Sequence, residues 1–116
     1  MPMPKLIGKL KLRNERLVYW DEGNYLVAEI DPNGTEYRSP IPAAAVEKLY
    51  ETCKGQTLTS ADASERIAIF AKAMRLPYYY GHKLEHYALN MLVVLVVTDK
   101  ARYWKEGRSY QFALTT

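Results

Sequence analysis

The sequence contains one cysteine, Cys53, among 116 residues, so no internal disulfide can form. This excludes the small secreted folds that disulfides hold together, and it predicts a reducing compartment, the cytoplasm. Cys53 also falls within a predicted amphipathic helix, a position typical of a buried structural thiol. We therefore do not expect it to be a nucleophile.

Long apolar runs are also absent. The longest, residues 91–97, is far shorter than the roughly 20 residues that a membrane-spanning helix needs. The amino-terminal residues MPMPKLIGK lack the extended apolar segment of a signal peptide. We therefore expect neither a membrane partner nor secretion.

Catalytic motifs are scarce. The sequence has no glycine-rich phosphate loop and no Cys-x-x-Cys pair. One segment, His82-Lys-Leu-Glu-His86, has the His-x-x-Glu-His spacing of inverzincin metal sites, where two histidines hold zinc and the glutamate activates water. A third ligand would be required, and two surface histidines at a helix start are the favoured interpretation. We predict no enzymatic activity and no cofactor, with a metal-dependent hydrolase as an alternative.

What the sequence does contain is an uneven distribution of charge. The net charge is +3, but residues 1–16 carry +4, residues 17–65 carry −6 and residues 66–116 carry +5. If the two basic ends meet in space, they form one basic face, and nucleic acid is the partner that such a face suits. Ten tyrosines supply side chains with an apolar ring and a polar tip, which suit sheet surfaces and interfaces.

Residues 1–41 are predicted to form an antiparallel β-meander. Apolar and polar residues alternate over residues 6–12 and again over residues 25–31, where Leu26, Ala28 and Ile30 share one face. Turn signals separate the strands, and the clearest is Asp31-Pro-Asn-Gly34, because Asn-Gly tolerates the positive φ of tight hairpins. Short strands with short connections favour a meander over parallel pairing.

Residues 42–116 are predicted to form three helices and a hairpin. Pro42 suits the first turn of a helix over residues 43–54, which Gly55 would end. Thr59 and Asp62 resemble the capping box of a second helix, over residues 60–74. The two parts of the chain could equally form one compact unit. The predicted class is α+β.

The third helix would begin near His82, and its end is ambiguous. Residues 91–97 are rich in valine and could form a buried strand. However, the apolar stripe that starts at Leu84 continues through them, so we predict a helix to about Val96. Residues 101–105 and 108–114 would then pair around Glu106-Gly107.

Three helices followed by a two-stranded hairpin resemble the winged-helix family of helix-turn-helix domains. The resemblance covers residues 42–114 and rests on residues 55–58 before the second helix, the Leu92-x-x-Leu95 spacing and the returning strand Arg108-x-Tyr110-x-Phe112. In that family the third helix commonly enters the major groove of DNA. The sequence departs from the family in its long aromatic loop at residues 75–81 and in the four-stranded meander.

The resemblance implies a nucleic-acid partner, duplex DNA, and a set of contact residues. The third helix would face the bases, the hairpin would lie near phosphates, and the end of the second helix would add a phosphate contact. The predicted contact residues are His82, Lys83, His86 and Asn90 on the third helix, Arg102, Lys105 and Arg108 on the hairpin, and Arg75.

Three adjacent tyrosines, Tyr78, Tyr79 and Tyr80, precede the third helix. They could stack on exposed bases or contact a partner protein. Adjacent side chains cannot all point the same way, so anchoring of the loop is the favoured interpretation.

Together these features predict a small non-enzymatic DNA-binding protein with a regulatory or accessory role, such as transcription regulation. The alternative is a protein-interaction or homodimerisation module that uses a tyrosine-rich surface.

Overall fold

The computed structural model describes residues 3–76 and 84–116, and the predicted α+β class is confirmed in them. Four strands form an antiparallel sheet in chain order: β1 (Lys5–Lys11), β2 (Glu15–Asp21), β3 (Asn24–Ile30) and β4 (Glu36–Pro42). The helices are α1 (Ala43–Cys53), α2 (Ser60–Ala71) and α3 (Leu84–Val97), and the remaining strands are β5 (Thr57–Leu58), β6 (Ala101–Glu106) and β7 (Ser109–Leu114).

The fourth strand ends one residue beyond the predicted meander, residues 1–41. It continues through Pro40 and Pro42, which lie opposite Leu26 and Asn24 of β3, and α1 begins at Ala43, as predicted. Proline lacks an N–H and is tolerated at the outer edge of a sheet. Since β4 pairs only with β3 in the described sheet, its prolines fit there, and Pro42 is also the N-cap residue of α1.

A second, three-stranded sheet has the order β5-β7-β6. The hairpin β6–β7 was predicted, whereas no strand was predicted between the first two helices, where β5 lies. Its two residues, Thr57 and Leu58, lie opposite Ala113 and Phe112 of β7. A strand of two residues has no periodicity that a sequence could reveal, and only the pairing partner defines it.

The end of α1 and the start of α2 follow the predicted capping signals, whereas α2 ends at Ala71, before the predicted residue 74. Gly55 has a φ of 82°, the left-handed conformation expected after α1. Thr59 Oγ1 accepts a hydrogen bond from the Asp62 N–H at 3.1 Å, and Asp62 Oδ2 accepts one from the Thr59 N–H at 3.0 Å, which is the predicted capping box. Cys53 is buried at the end of α1, and burial raises the pKa of its thiol.

Residues 91–97 are helical, so the helix interpretation of this run is confirmed and α3 ends at Val97. The helix is buried on most sides, and Glu85 is the single exposed residue of its described length. One side packs against α2. The other contacts the meander, where the Tyr87 hydroxyl donates to the Pro40 carbonyl at 3.2 Å. No helix in the described ranges has both the length and the apolar character needed to cross a bilayer.

The meander approaches α3 closely at Gly8 of β1. A Cβ atom at this position would lie 2.5 Å from Cγ1 of Val97, closer than van der Waals contact allows. Because the χ1 angle of valine is stiff, its methyl group cannot easily turn away. Glycine at residue 8 therefore lets the first strand and the last turn of α3 come together, which links the two ends of the fold.

Candidate functional site

The predicted hairpin contacts are exposed. Arg102, Lys105 and Arg108 all lie on the surface of the β6–β7 hairpin. Strand alternation places Arg102 beside Trp104 on the outer face, and Trp104 is 43 % exposed. Lys105 points to the other face, where its Nζ lies 5.9 Å from the centroid of the Tyr110 ring. The basic groups of the hairpin thus occupy both of its faces.

The predicted base contacts on α3 are placed differently. Asn90 is 1 % exposed, and its Oδ1 accepts a hydrogen bond from Nε of Arg16 at 3.0 Å. A side chain in that position cannot reach a base edge, so the prediction for Asn90 is corrected. His86 is partly exposed, with Nε2 2.8 Å from Oε1 of Glu29. Packing against the meander accounts for both positions, because β2 and β3 cover the side of α3 that carries them.

The other predicted contacts lie near or within the undescribed segment. Arg75 is exposed just after α2, with a φ of 52°. His82, Lys83 and the three tyrosines Tyr78, Tyr79 and Tyr80 lie outside the described residues. His82 is also the first residue of the His-x-x-Glu-His motif, so the motif is described only in part. Within the described ranges no three acidic, histidine or cysteine side chains cluster in a way that could hold a metal.

A buried polar cluster joins the meander to α3. Arg16 on β2 is 3 % exposed and Glu29 on β3 is 8 % exposed, and the two residues lie opposite each other in the sheet. Nη2 of Arg16 is 3.5 Å from Oε1 of Glu29, and Nη1 donates to the Asn14 carbonyl at 3.1 Å. The Asn14 side chain in turn donates to Oε2 of Glu29 at 2.6 Å. With Asn90 and His86, the cluster ties two strands to one helix.

Burial and charge act against each other within this cluster. Burial alone would raise the pKa of Glu29, but the Asn14 hydrogen bond and the charges of Arg16 and His86 outweigh it and lower that pKa. Burial lowers the pKa of Arg16, and the charge of Glu29 opposes that shift. Glu29 is therefore ionised at neutral pH, and Arg16 keeps its charge because an arginine guanidinium is not deprotonated in proteins. Oε1 of Glu29 lies 2.8 Å from Nε2 of His86 and 3.5 Å from Nη2 of Arg16.

The polar cluster forms one wall of a cavity of about 520 Å³. The cavity lies where four parts of the chain meet: the β1–β2 turn, the first turn of α2, the first half of α3 and the start of β7. Leu12, Leu89 and Phe112 supply apolar surface, and Arg13 and Arg108 supply positive charge. Arg13 belongs to the basic amino-terminal segment and Arg108 to the basic carboxyl-terminal segment, so the two segments do meet at this point.

Arg16 and Glu29, the centre of the cluster, were not among the predicted site residues. One signal could have found them. The turn between β2 and β3 contains only Glu22 and Gly23, so residues at equal distances from it must pair across the hairpin. That rule places Arg16 opposite Glu29, on the face that also carries the fully buried Val18 and Val27. Two opposite charges at inward positions of adjacent strands indicate a buried pair.

Comparison of the chain with protein-family models, with curated proteins and with solved structures gives no match. The candidate site therefore has to be interpreted from its own chemistry.

Proposed function

We propose that this protein binds nucleic acid, duplex DNA in particular, with the β6–β7 hairpin as the docking element. The observation that carries the proposal is the surface of the hairpin, where every residue from 102 to 109 is exposed. This stretch combines three cations with the aromatic rings of Tyr103 and Trp104. Basic groups bind phosphates, and exposed aromatic rings contact sugars or bases.

The proposal also draws on the winged-helix resemblance of residues 42–114, which rests on the order of the elements in this part of the chain. Three helices are followed by a hairpin, and β5 adds a third strand to that hairpin. A fold does not fix a function, so this order is supporting and not decisive.

In the proposed mode of binding, the third helix does not contact bases in the major groove. Since α3 is covered by α2 and by the meander, it cannot enter a major groove while the meander stays in place. The duplex would instead be bound by Arg102, Lys105 and Arg108, through contacts with its phosphate backbone. Backbone contacts carry little sequence information, so we expect affinity that depends strongly on salt and weakly on sequence. A regulatory or accessory role in the cytoplasm suits such binding.

The test is the double variant Arg102→Gln, Lys105→Gln. We expect weaker binding to a duplex at low salt and a shallower dependence of log K on log[salt], by about two for the two lost phosphate contacts. Fluorescence anisotropy of a labelled duplex at several salt concentrations measures both quantities. The same titration with a single strand shows whether Trp104 favours unpaired bases.

The matched control is the double variant Arg38→Gln, Lys54→Gln. It removes the same charge from exposed side chains outside the hairpin, on β4 and at the end of α1. If the control weakens binding as much as the hairpin variant, net charge and not the hairpin accounts for the affinity. Absence of binding by the wild type at low salt would refute the proposal.

A second candidate function, homodimerisation, is favoured by the outer face of the meander. Leu6, Tyr19, Leu26 and Pro40 lie directly opposite one another across the four strands, on the face that points away from α3. Leu6 is 52 % exposed, and the other three are partly exposed. An apolar row of this kind fits a second copy of the same sheet.

The test is native mass spectrometry at several protein concentrations. If two copies pair through this row, the measurement will detect a dimer, and the variant Leu6→Glu will abolish it. A monomer at every concentration would refute this function.

A further inference from the structure

The cavity between the meander, α2, α3 and β7 has the size of a small-molecule site. Its volume of about 520 Å³ falls within the range of roughly 300–1,000 Å³ typical of ligand pockets. Most of the residues that line it are polar or charged, with Arg13, Arg16 and Arg108 among them, and a smaller apolar group completes the lining. The buried side chains that line the cavity belong neither to the hairpin docking surface nor to the outer face of the meander.

The charged side chains that line the cavity differ in whether they already have a partner of opposite charge or a hydrogen-bond partner. Both carboxylates already have partners: Glu29 has Arg16, Asn14 and His86, and Glu85 Oε1 accepts a hydrogen bond from the Ser60 hydroxyl at 3.0 Å. Arg13 and Arg108, by contrast, form no ion pair with any described residue. The charge that remains available to a ligand is therefore positive.

Two further features of the cavity favour an anion as its ligand. The first turn of α2, with Ser60 and Ala61, lines the cavity, and the positive end of the helix dipole lies there. Arg16, which also lines the cavity, uses Nε for Asn90, one hydrogen of Nη1 for Asn14 and Nη2 for its ion pair with Glu29; the second hydrogen of Nη1 is a further donor on the same buried guanidinium. Guanidinium groups bind carboxylates and phosphates with paired, charge-assisted hydrogen bonds.

Part of the lining is apolar. It consists of Leu12, Leu89 and Phe112, together with the ring of Tyr110. A ligand that carried only charge would leave this apolar surface in contact with water. One that joins an acidic group to an apolar or aromatic body would contact both the charged and the apolar side chains.

We propose that this cavity binds a small organic anion: a carboxylate or phosphate group held by Arg13 and Arg108, on an apolar or aromatic body that packs against Leu12, Leu89 and Phe112. The proposal does not depend on nucleic-acid binding by the hairpin.

The experiment titrates the full chain with benzoate, benzamide, phenyl phosphate and inorganic phosphate, and follows the backbone amides by two-dimensional NMR. Benzamide has the shape of benzoate without its charge, and inorganic phosphate has the charge of phenyl phosphate without its ring. We expect saturable binding of benzoate and phenyl phosphate with Kd on the order of millimolar, as befits single-ring probes. The shifted amides should include residues 12–14, 59–61 and 108–112, which are distant in sequence but line one cavity.

Benzamide and inorganic phosphate should each bind at least about fivefold more weakly, because each lacks one of the two recognised features. The relative affinity of benzoate and phenyl phosphate shows which acidic group the cavity prefers. Equal binding of benzoate and benzamide would overturn the anion proposal. Absence of saturable shifts from both acidic probes would overturn it as well, and so would shifts confined to the exposed hairpin.

Arginine variants test whether the ligand binds in the cavity. Arg13→Gln should weaken benzoate binding about tenfold, since it removes one charge-assisted contact. Arg38→Gln is the matched control: it changes an exposed arginine of β4 that does not line the cavity, and it should leave benzoate affinity unchanged. Equal affinity of wild type and Arg13→Gln would contradict the proposed role of Arg13. Failure of duplex binding would leave these results unaffected, so the two proposals can fail separately.

Discussion

Glu29→Gln is expected to lower the free energy of unfolding by about 3 kcal/mol, because it leaves the buried charge of Arg16 without its counter-ion. The substitution keeps the shape of the side chain and can keep the hydrogen bond from Asn14, so the loss reports on charge and not on volume. Both side chains are nearly inaccessible to water, at 4 % and 10 % exposure, which makes solvent a poor substitute for the lost partner. Urea denaturation at pH 7 measures the difference.

The control for this prediction is Glu36→Gln on the neighbouring strand β4. Glu36 forms an ion pair with Arg38 at 3.0 Å, but their side chains are 36 % and 62 % exposed. Exposed pairs contribute little, so we expect a change of less than about 1 kcal/mol. Similar losses for the two variants would show that burial of the Arg16–Glu29 pair is not the cause.

The pH dependence of the same variants has a definite sign. Because the pKa of Glu29 is lowered in the folded state, its contribution is present above the pKa of an ordinary glutamate, about 4.3. That contribution is lost as the pH falls through the lower folded value, since the unfolded chain then binds the proton more readily. Wild type should therefore lose its advantage over Glu29→Gln below about pH 4. A difference that stays constant down to pH 3 would contradict the assignment.

The sequence was sufficient for the parts of this fold that local signals define. The turn at residues 31–34, the capping box at Thr59 and Asp62 and the glycine after α1 each fix a boundary through chemistry that acts over a few residues. The helical stripe from Leu84 likewise decided between helix and strand for residues 91–97. The α+β class and the order of the elements follow from these signals.

The candidate site could not be predicted in the same way, because its polar residues are satisfied by partners far away in the chain. Asn90 bonds to Arg16, 74 residues earlier. On sequence alone, His86 and Asn90, which lie one turn apart on a helix, indicate a face that is exposed to solvent or that contacts a ligand. The structure places that face against a sheet whose own inward charges complete the hydrogen bonds. Only the packing of the meander on α3, which no local pattern encodes, distinguishes the two cases.

Val94→Asp is expected to abolish cooperative folding of the whole chain, because α3 is the element on which the meander and the other helices both pack. Val94 is fully buried and lies four residues after Asn90 and three before Val97, both of which contact the meander. A carboxylate placed there has no counter-ion and costs several kcal/mol, comparable with the total stability of a small domain, roughly 5–15 kcal/mol. Circular dichroism and thermal unfolding are the measurements, and strand and helix signals should be lost together.

Ile69→Asp provides the matched control, since it also replaces an aliphatic residue of a helix by aspartate. Ile69 on α2 is 82 % exposed, so this change should alter the free energy of unfolding by less than about 0.5 kcal/mol. If Val94→Asp were equally mild, the meander would not cover α3 in solution, and the face of α3 that carries His86 and Asn90 would be free to meet a groove. A large loss for Val94→Asp alone means that the helix is structural and that recognition belongs to the hairpin.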